Sequence, residues 1–174
     1  HSRPEVLTER AHLRYDRNHD YWTRYAIHGT YLGNMAEIAQ TGLIPGGTKV
    51  QHMDSAAELR NEVHMVPYFG ELLPPPRSAC DAARQGTDIM LVISLDRMLD
   101  AGYPLYASHM DPPVILTQHT IHPSFIHSAY KRFGAGDLAL YRGFPDPFAA
   151  KVAAPIPTVT RPARPIAIGA APAA

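Results

Sequence analysis

A single cysteine, Cys80, serves the whole chain of 174 residues. One thiol excludes an internal disulfide, and with it the cross-linked secreted scaffolds. It suits a reducing, intracellular compartment, cytoplasmic or nuclear. Long apolar runs are missing as well. None approaches the roughly 20 residues of a helical membrane span, and no secretory signal is visible, so no membrane is expected among the partners. Charge of one sign is not in excess: 16 Lys and Arg balance 16 Asp and Glu, and the pI is near 7.3. Proteins that grip nucleic acid along its backbone carry a clear basic surplus, so any contact with RNA has to be local. Internal repeats are absent. The remaining composition, 45% hydrophobic and 18% charged, describes a globular core under a modestly charged surface. A chain of this length suffices for one domain burying about two-thirds of its unfolded surface. It begins at His1 rather than Met, as a piece of a longer polypeptide would.

Along the chain, residues 1–20 are charged and aromatic, with Arg10, His12, Arg14, Arg17 and His19 close together. Trp22, Tyr25 and Ile27 then mark a strand over 21–28 that ends in His28-Gly29-Thr30. A strand ending in glycine suits a site, because the missing side chain lets a ligand approach the backbone. His and Thr on either side supply donors and acceptors to orient it. Asn34 stands as N-cap for a helix from Met35 to Gln40, with Glu37 at the capping-box position and Gly42 as the stop. Asp54 to Leu59 reads as a helical turn and Val63 to Val66 as a short strand. Pro74-Pro75-Pro76 makes an extended connection, after which Ser78 caps a helix from Ala79 to Gln85.

Ile89 to Leu95 is the most hydrophobic run, and its length and β-branching predict a central buried strand. Asp96 caps a turn of helix stopped at Gly102. Tyr103 to Ala107 and Val114 to Thr117 read as two further strands, and Pro123 begins a last small element. From about Tyr141 the chain turns Pro/Ala-rich, which predicts a linker or extended arm. The residues from Lys131 onward carry +4 and those before it −4.

Three places besides His28-Gly29-Thr30 hold potential chemistry: Leu13-Arg14-Tyr15-Asp16-Arg17-Asn18-His19, Arg60-Asn61-Glu62-Val63-His64-Met65, and Gly102 to Ser108 with Val114-Ile115-Leu116-Thr117. Each alone also has a plain structural reading, as a solvated cationic face, a strand with a core histidine, or paired core strands. Tyr103 and Tyr106 read as core, Met90 and Met98 as core filling, and Cys80, in a helix beside Pro-rich loops, is not read as a nucleophile. None of the histidines at 109, 119, 122 and 127 pairs with metal-ligand spacing, so no metal is expected.

Taken in order, these segments resemble the tRNA 2′-phosphotransferase family within the ADP-ribosyltransferase superfamily. That family has Ile-Arg-x-x-x-x-His before His-Gly-Thr, then a helix ending in Gly-Leu, then Arg-x-His-Val-His-Leu. A buried strand, Gly-Ile-Pro-Phe-Tyr-x-Ser and Gly-Val-x-Leu-Thr follow. Here Leu13-Arg14 with His19, Ile27-His28-Gly29-Thr30, Gly42-Leu43, Arg60 to Met65, Gly102 to Ser108 and Val114 to Thr117 fall in that order, over roughly residues 12–132. A gap-free register would instead set His52-Met53 in place of His64-Met65, with Thr48 where the arginine belongs. Glu62 stands where the family has the first histidine of His-Val-His, and Asp111-Pro112-Pro113 where it has Asn-Gly.

The resemblance implies an α+β domain over 1–140, a split, twisted antiparallel β-fold of ADP-ribosyltransferase type with short helices, followed by the tail over 141–174. It implies NAD+ as cofactor, lying along His28, Gly29 and Thr30, with Ser108 and Val114 as further contacts. The implied partner is 2′-phosphorylated RNA, and the products are 2′-hydroxyl RNA, nicotinamide and ADP-ribose 1″,2″-cyclic phosphate. A phosphate nucleophile is already anionic and needs positioning cations more than a base, and arginine's fork suits that. Arg14, His19, Arg60 and His64 are therefore the expected catalytic set. Two alternatives stay open: transfer of ADP-ribose to a protein or nucleic-acid end, for which Glu58 and Glu62 are candidate glutamates, and a non-catalytic module among further domains or subunits of a larger, for instance viral, assembly.

Overall fold

The computed structural model describes residues 12–46, 62–83, 86–133 and 137–142. At its centre is the run that the sequence marks most strongly. Ile89–Ser94 is a strand with all six residues buried. Successive side chains of a strand point to opposite faces, and both faces here are covered. Ile89, Leu91 and Ile93 enter the larger core, while Met90 joins Ile27, Tyr68 and Cys80 in a smaller one. A continuous apolar run is what such a position requires.

In chain order the strands are β1 (His12–Arg14), β2 (Tyr25–Thr30), β3 (Val63–Tyr68), β4 (Ile89–Ser94), β5 (Tyr106–Ser108), β6 (Ile115–Thr117), β7 (Ile126–Phe133) and β8 (Asp137–Leu140). The helices are α1 (Met35–Thr41), α2 (Arg77–Ala83) and α3 (Leu95–Asp100). Among the described residues the strands make one sheet in the order β1-β5-β6-β3-β2-β4-β7-β8, with antiparallel pairing throughout. The fold is α+β, an antiparallel sheet with few short helices. Met35 and Ile38 of α1, Leu95 and Met98 of α3, and Phe125 pack on the larger core, and Cys80 of α2 on the smaller. Among the described residues no helix is long and apolar enough to cross a membrane.

α1 ends at Gly42, whose φ of 82° is open to glycine at little cost. A Cβ there would lie 2.1 Å from the carbonyl oxygen of Ile121. That close approach lets Leu43 and Ile121 exchange two backbone hydrogen bonds of 2.9 Å, which tie the end of α1 to the segment before β7.

Several local expectations shift. β2 does not end at His28 but runs on through Thr30, because β4 stays paired with it to Ile89. Asn34 precedes α1 but makes no side-chain cap; a 3-10 turn, Leu32–Asn34, leads into the helix instead. Ser78 lies inside α2 rather than at its cap. α3 starts at Leu95, since Ser94 and not Asp96 caps it, its Oγ accepting from the Arg97 amide at 3.4 Å. The small element expected from Pro123 is a 3-10 turn, Pro123–Phe125, and two strands not expected, β7 and β8, follow it. Tyr141, where the tail is expected to begin, still donates from its amide to Ala129 at 2.8 Å and packs on the larger core. The helical turn expected at 54–59, Arg60 and the chain after Arg142 lie outside the described residues.

Candidate functional site

β3 changes partner half-way along its length. Val63, His64 and Met65 pair with Thr117, Leu116 and Ile115 of β6. Val66, Pro67 and Tyr68 pair with Ile27, Ala26 and Tyr25 of β2. β2 itself continues past Ile27 alongside β4, so the sheet parts between β2 and β3 at His28 and Gly29. Across that parting the His28 ring takes the place of a ladder bond. Its Nδ1 lies 2.7 Å from the carbonyl oxygen of His64. A carbonyl only accepts, so the proton of this ring sits on Nδ1, and in the neutral ring Nε2 is the acceptor. Next along β2, buried Thr30 accepts from Nδ2 of Asn34 at 3.4 Å, which is where that side chain is engaged instead of capping α1.

His64 belongs to a second group at the same end of β3. Glu62 and His64 stand two residues apart, and Gln118, one residue past β6, comes alongside. The Gln118 Nε2 donates to Oε1 of Glu62 at 3.4 Å. The other carboxylate oxygen, Oε2, lies 3.8 Å from Nε2 of His64, too far for a hydrogen bond. Gln118 is only 5% exposed, and its Oε1, like Nε2 of His64, is a buried atom with no hydrogen-bond partner among the described residues. The signal for Gln118 in the sequence is slight: Thr117-Gln118-His119 is a polar run directly after an apolar one, and all three residues are buried.

The remaining expected residues are placed as follows. Arg14 is exposed on β1, opposite Tyr106, and β5 and β6 lie between that strand and β3. Its neighbour Arg17 is engaged structurally, with Nε and Nη2 donating to Oδ1 of Asp96 at 2.9 and 2.6 Å and Nη2 to Oδ1 of Asp100 at 2.8 Å. His19 is half-buried in a row of rings. Its Nδ1 accepts from the Tyr21 amide at 3.0 Å, and its centroid lies 5.1 Å from Tyr15 and 6.2 Å from Tyr21. Tyr15 anchors that row in the core by donating to the Tyr21 carbonyl and accepting from the Thr23 amide, both at 2.9 Å. Burial pushes its hydroxyl up to about 12. Ser108 and Val114 bind one another across the β5–β6 hairpin. The Ser108 amide donates to the Val114 carbonyl, and the Val114 amide to Ser108 Oγ, each at 2.9 Å. The structure thus brings His28, Gly29, Thr30 and His64 to one parting of the sheet, while Arg14 and His19 belong to the segment around β1. Among the described residues no three His, Cys, Asp or Glu side chains stand together as a metal ion would need.

No family model and no curated protein matches this chain. The site is therefore read from its own geometry. At the parting of β2 and β3 stand a histidine whose proton is fixed on Nδ1 and the buried backbone of Gly29, and near the same end of β3 two buried polar atoms have no hydrogen-bond partner among the described residues. The Glu62 carboxylate does not favour a phosphate close to His64.

Proposed function

We propose that the chain carries an ADP-ribosyltransferase-type domain that binds NAD+ where β2 and β3 part, and that it removes a 2′-phosphate from RNA at the expense of NAD+. The observation that carries this reading is the bond from His28 to the His64 carbonyl across the split. It stands in the one segment, His28-Gly29-Thr30, around which the sequence resemblance is ordered. NAD+, when bound, supplies an ADP-ribosyl group with nicotinamide as leaving group. Gly29, lacking a side chain, is the position where the β2 backbone is proposed to approach the nicotinamide ring, with His28 beside it. Arg14, His19 and Arg60 are the cations proposed to hold the RNA phosphate.

A second reading has an observation of its own. Glu62 is held beside His64 by Gln118, and a carboxylate in that place suits activation of a neutral acceptor better than approach of a phosphate. It favours transfer of ADP-ribose to a protein or nucleic-acid end. One experiment separates the readings: NAD+ is incubated with the protein, with and without a 2′-phosphorylated RNA, and the products are identified. ADP-ribose 1″,2″-cyclic phosphate together with 2′-hydroxyl RNA supports the first reading. ADP-ribose left on the protein or on the RNA end supports the second. No consumption of NAD+ under any condition rejects both and leaves a non-catalytic module.

A further inference from the structure

β3 leaves the sheet at Tyr68 into a short loop that exposes large apolar side chains and yet is pinned. The Tyr68 hydroxyl donates to the Leu72 carbonyl at 2.5 Å, and the Thr23 hydroxyl donates to the Tyr68 carbonyl. Gly70 is pressed on the Tyr68 hydroxyl, and a Cβ there would collide with it. The loop so held shows Phe69 at 56% exposure and Leu72 at 82%. Tyr21, from the segment before β2, sets its ring 6.2 Å from that of Phe69. Its hydroxyl donates to Oδ1 of Asp111 at 2.5 Å, next in sequence to exposed Met110, and Asp20 adds a second negative charge close by. Glu71 is exposed within the loop itself. Large apolar groups displayed in this way, within a polar rim, mark an interaction surface. The proposed reaction uses none of them.

The chain itself carries a segment of matching chemistry. Residues 143–174, outside the described residues, hold Lys151, Arg161 and Arg164 against Asp146, which is 3 − 1, a net +2. Within them Arg161-Pro162-Ala163-Arg164-Pro165 interleaves arginine with proline. Proline-rich ligands dock on aromatic surfaces because their backbone is pre-set and loses little entropy on binding. Arginine adds stacking on the rings and pairing with carboxylates. The direction of the chain favours the encounter. Through the antiparallel order β3-β2-β4-β7-β8, β8 runs the same way as β3, so the chain leaves β8 at the end of the sheet where Tyr68 stands. Four strand spacings, on the order of 20 Å, separate the two strands. The 19 residues from Arg142 to Arg161 can span about 60 Å. We propose that the Arg161–Pro165 stretch of the tail docks on Tyr21, Phe69 and Leu72, with its arginines on the rim of Asp20, Glu71 and Asp111. The inference stands apart from the NAD+ reading.

The test is paramagnetic broadening of NMR signals in the full chain. Thr160→Cys carries a nitroxide label, and Cys80, the one native thiol, is buried and stays unlabelled. The signals of Phe69 and Leu72 should lose most of their intensity. Those of Phe133, exposed at the opposite end of the sheet, should not. With Arg161→Ser and Arg164→Ser added, both outside the folded core, the loss should disappear. Raising salt from 0.1 to 1 M shortens the screening length from about 10 to about 3 Å and should restore much of the signal. Phe69→Ser should release the tail in the same way, read at Leu72. No broadening at Phe69 and Leu72, equal broadening there and at Phe133, or broadening that survives loss of both arginines overturns the proposal. So does broadening that arises only between labelled and unlabelled chains mixed in one sample, because the occupant is then a second copy.

Discussion

His28 has two roles in this account, and they can be pulled apart by choosing what replaces it. The Nδ1 proton bridges the parting of the sheet to the His64 carbonyl at 2.7 Å, and the far side of the ring is proposed to meet the ligand. His28→Leu keeps bulk and removes both functions. Losing one intramolecular hydrogen bond of this kind costs about 1 kcal/mol, and up to about 3 kcal/mol if the carbonyl is left buried without a partner. With a urea m-value of about 1–3 kcal/mol per M, a loss of 1 kcal/mol lowers the unfolding midpoint by roughly 0.3–1 M. His28→Asn places an amide donor near the position of Nδ1 but nothing in the place of Nε2. It should recover most of the lost stability and none of the NAD+ affinity, which should fall at least about tenfold in both variants, equivalent to about 1.4 kcal/mol. Urea titration and calorimetry on the three proteins read the two effects separately. If His28→Leu is as stable as the native protein, the bridge does not hold β2 to β3. If His28→Asn binds NAD+ like the native protein, the ring has no part in the site.

Three further outcomes are expected, two from the packing of the fold and one from the proposed phosphate site. Tyr15→Phe removes the hydroxyl shared by the Tyr21 carbonyl and the Thr23 amide and should cost about 1–3 kcal/mol by urea titration. Because burial raises the Tyr15 hydroxyl to about 12 in the folded protein, its contribution is complete below pH 10 and is lost as pH climbs from 10 towards 12; the variant should show a weaker alkaline loss of stability across that window. Gly42→Ala forces a left-handed backbone and a Cβ against the Ile121 carbonyl, so it should lower the thermal midpoint and cost more than about 1–2 kcal/mol; an unchanged melting curve would mean that the Leu43–Ile121 tie does not form. Arg60→Ala should slow release of 2′-hydroxyl RNA roughly a hundredfold, about 2–4 kcal/mol in the assisted step, with Arg60→Lys restoring only part, since a point charge lacks the fork. Equal rates in all three proteins would remove Arg60 from the phosphate site.

What the sequence discloses here follows the range of the forces involved. β4 is legible because burial on both faces leaves an unbroken apolar run, and the end of α1 because Gly42 is a local stop. β7 is illegible for a local reason as well. Val92 pairs with Ser128 and Ile93 with Ile126, so His127 is an extra residue that breaks the alternation a strand would show. The start of α3 is misjudged because two residues, Ser94 and Asp96, both have capping chemistry, and only the packed helix shows which amide is near. The cationic segment before β2 looks uniform in sequence, yet Arg17 is committed to Asp96 and Asp100, which lie about 80 positions away in the chain. His28 and His64 can be paired by the order of motifs. Gln118 cannot, because nothing in its surroundings announces a carboxylate 56 residues upstream.

The central claim is that the parting of β2 and β3 is an NAD+ site, and Gly29 provides its most direct measurement. Calorimetry of NAD+ binding should show one saturable site in the native protein. Gly29→Val should abolish it by placing a branched side chain on the β2 backbone where the ring is proposed to lie, and a thermal melt confirms that the variant is folded. Saturable binding lost in a folded Gly29→Val protein is the predicted result. A folded native protein that takes up no NAD+, or a folded Gly29→Val protein that binds it unchanged, contradicts the account.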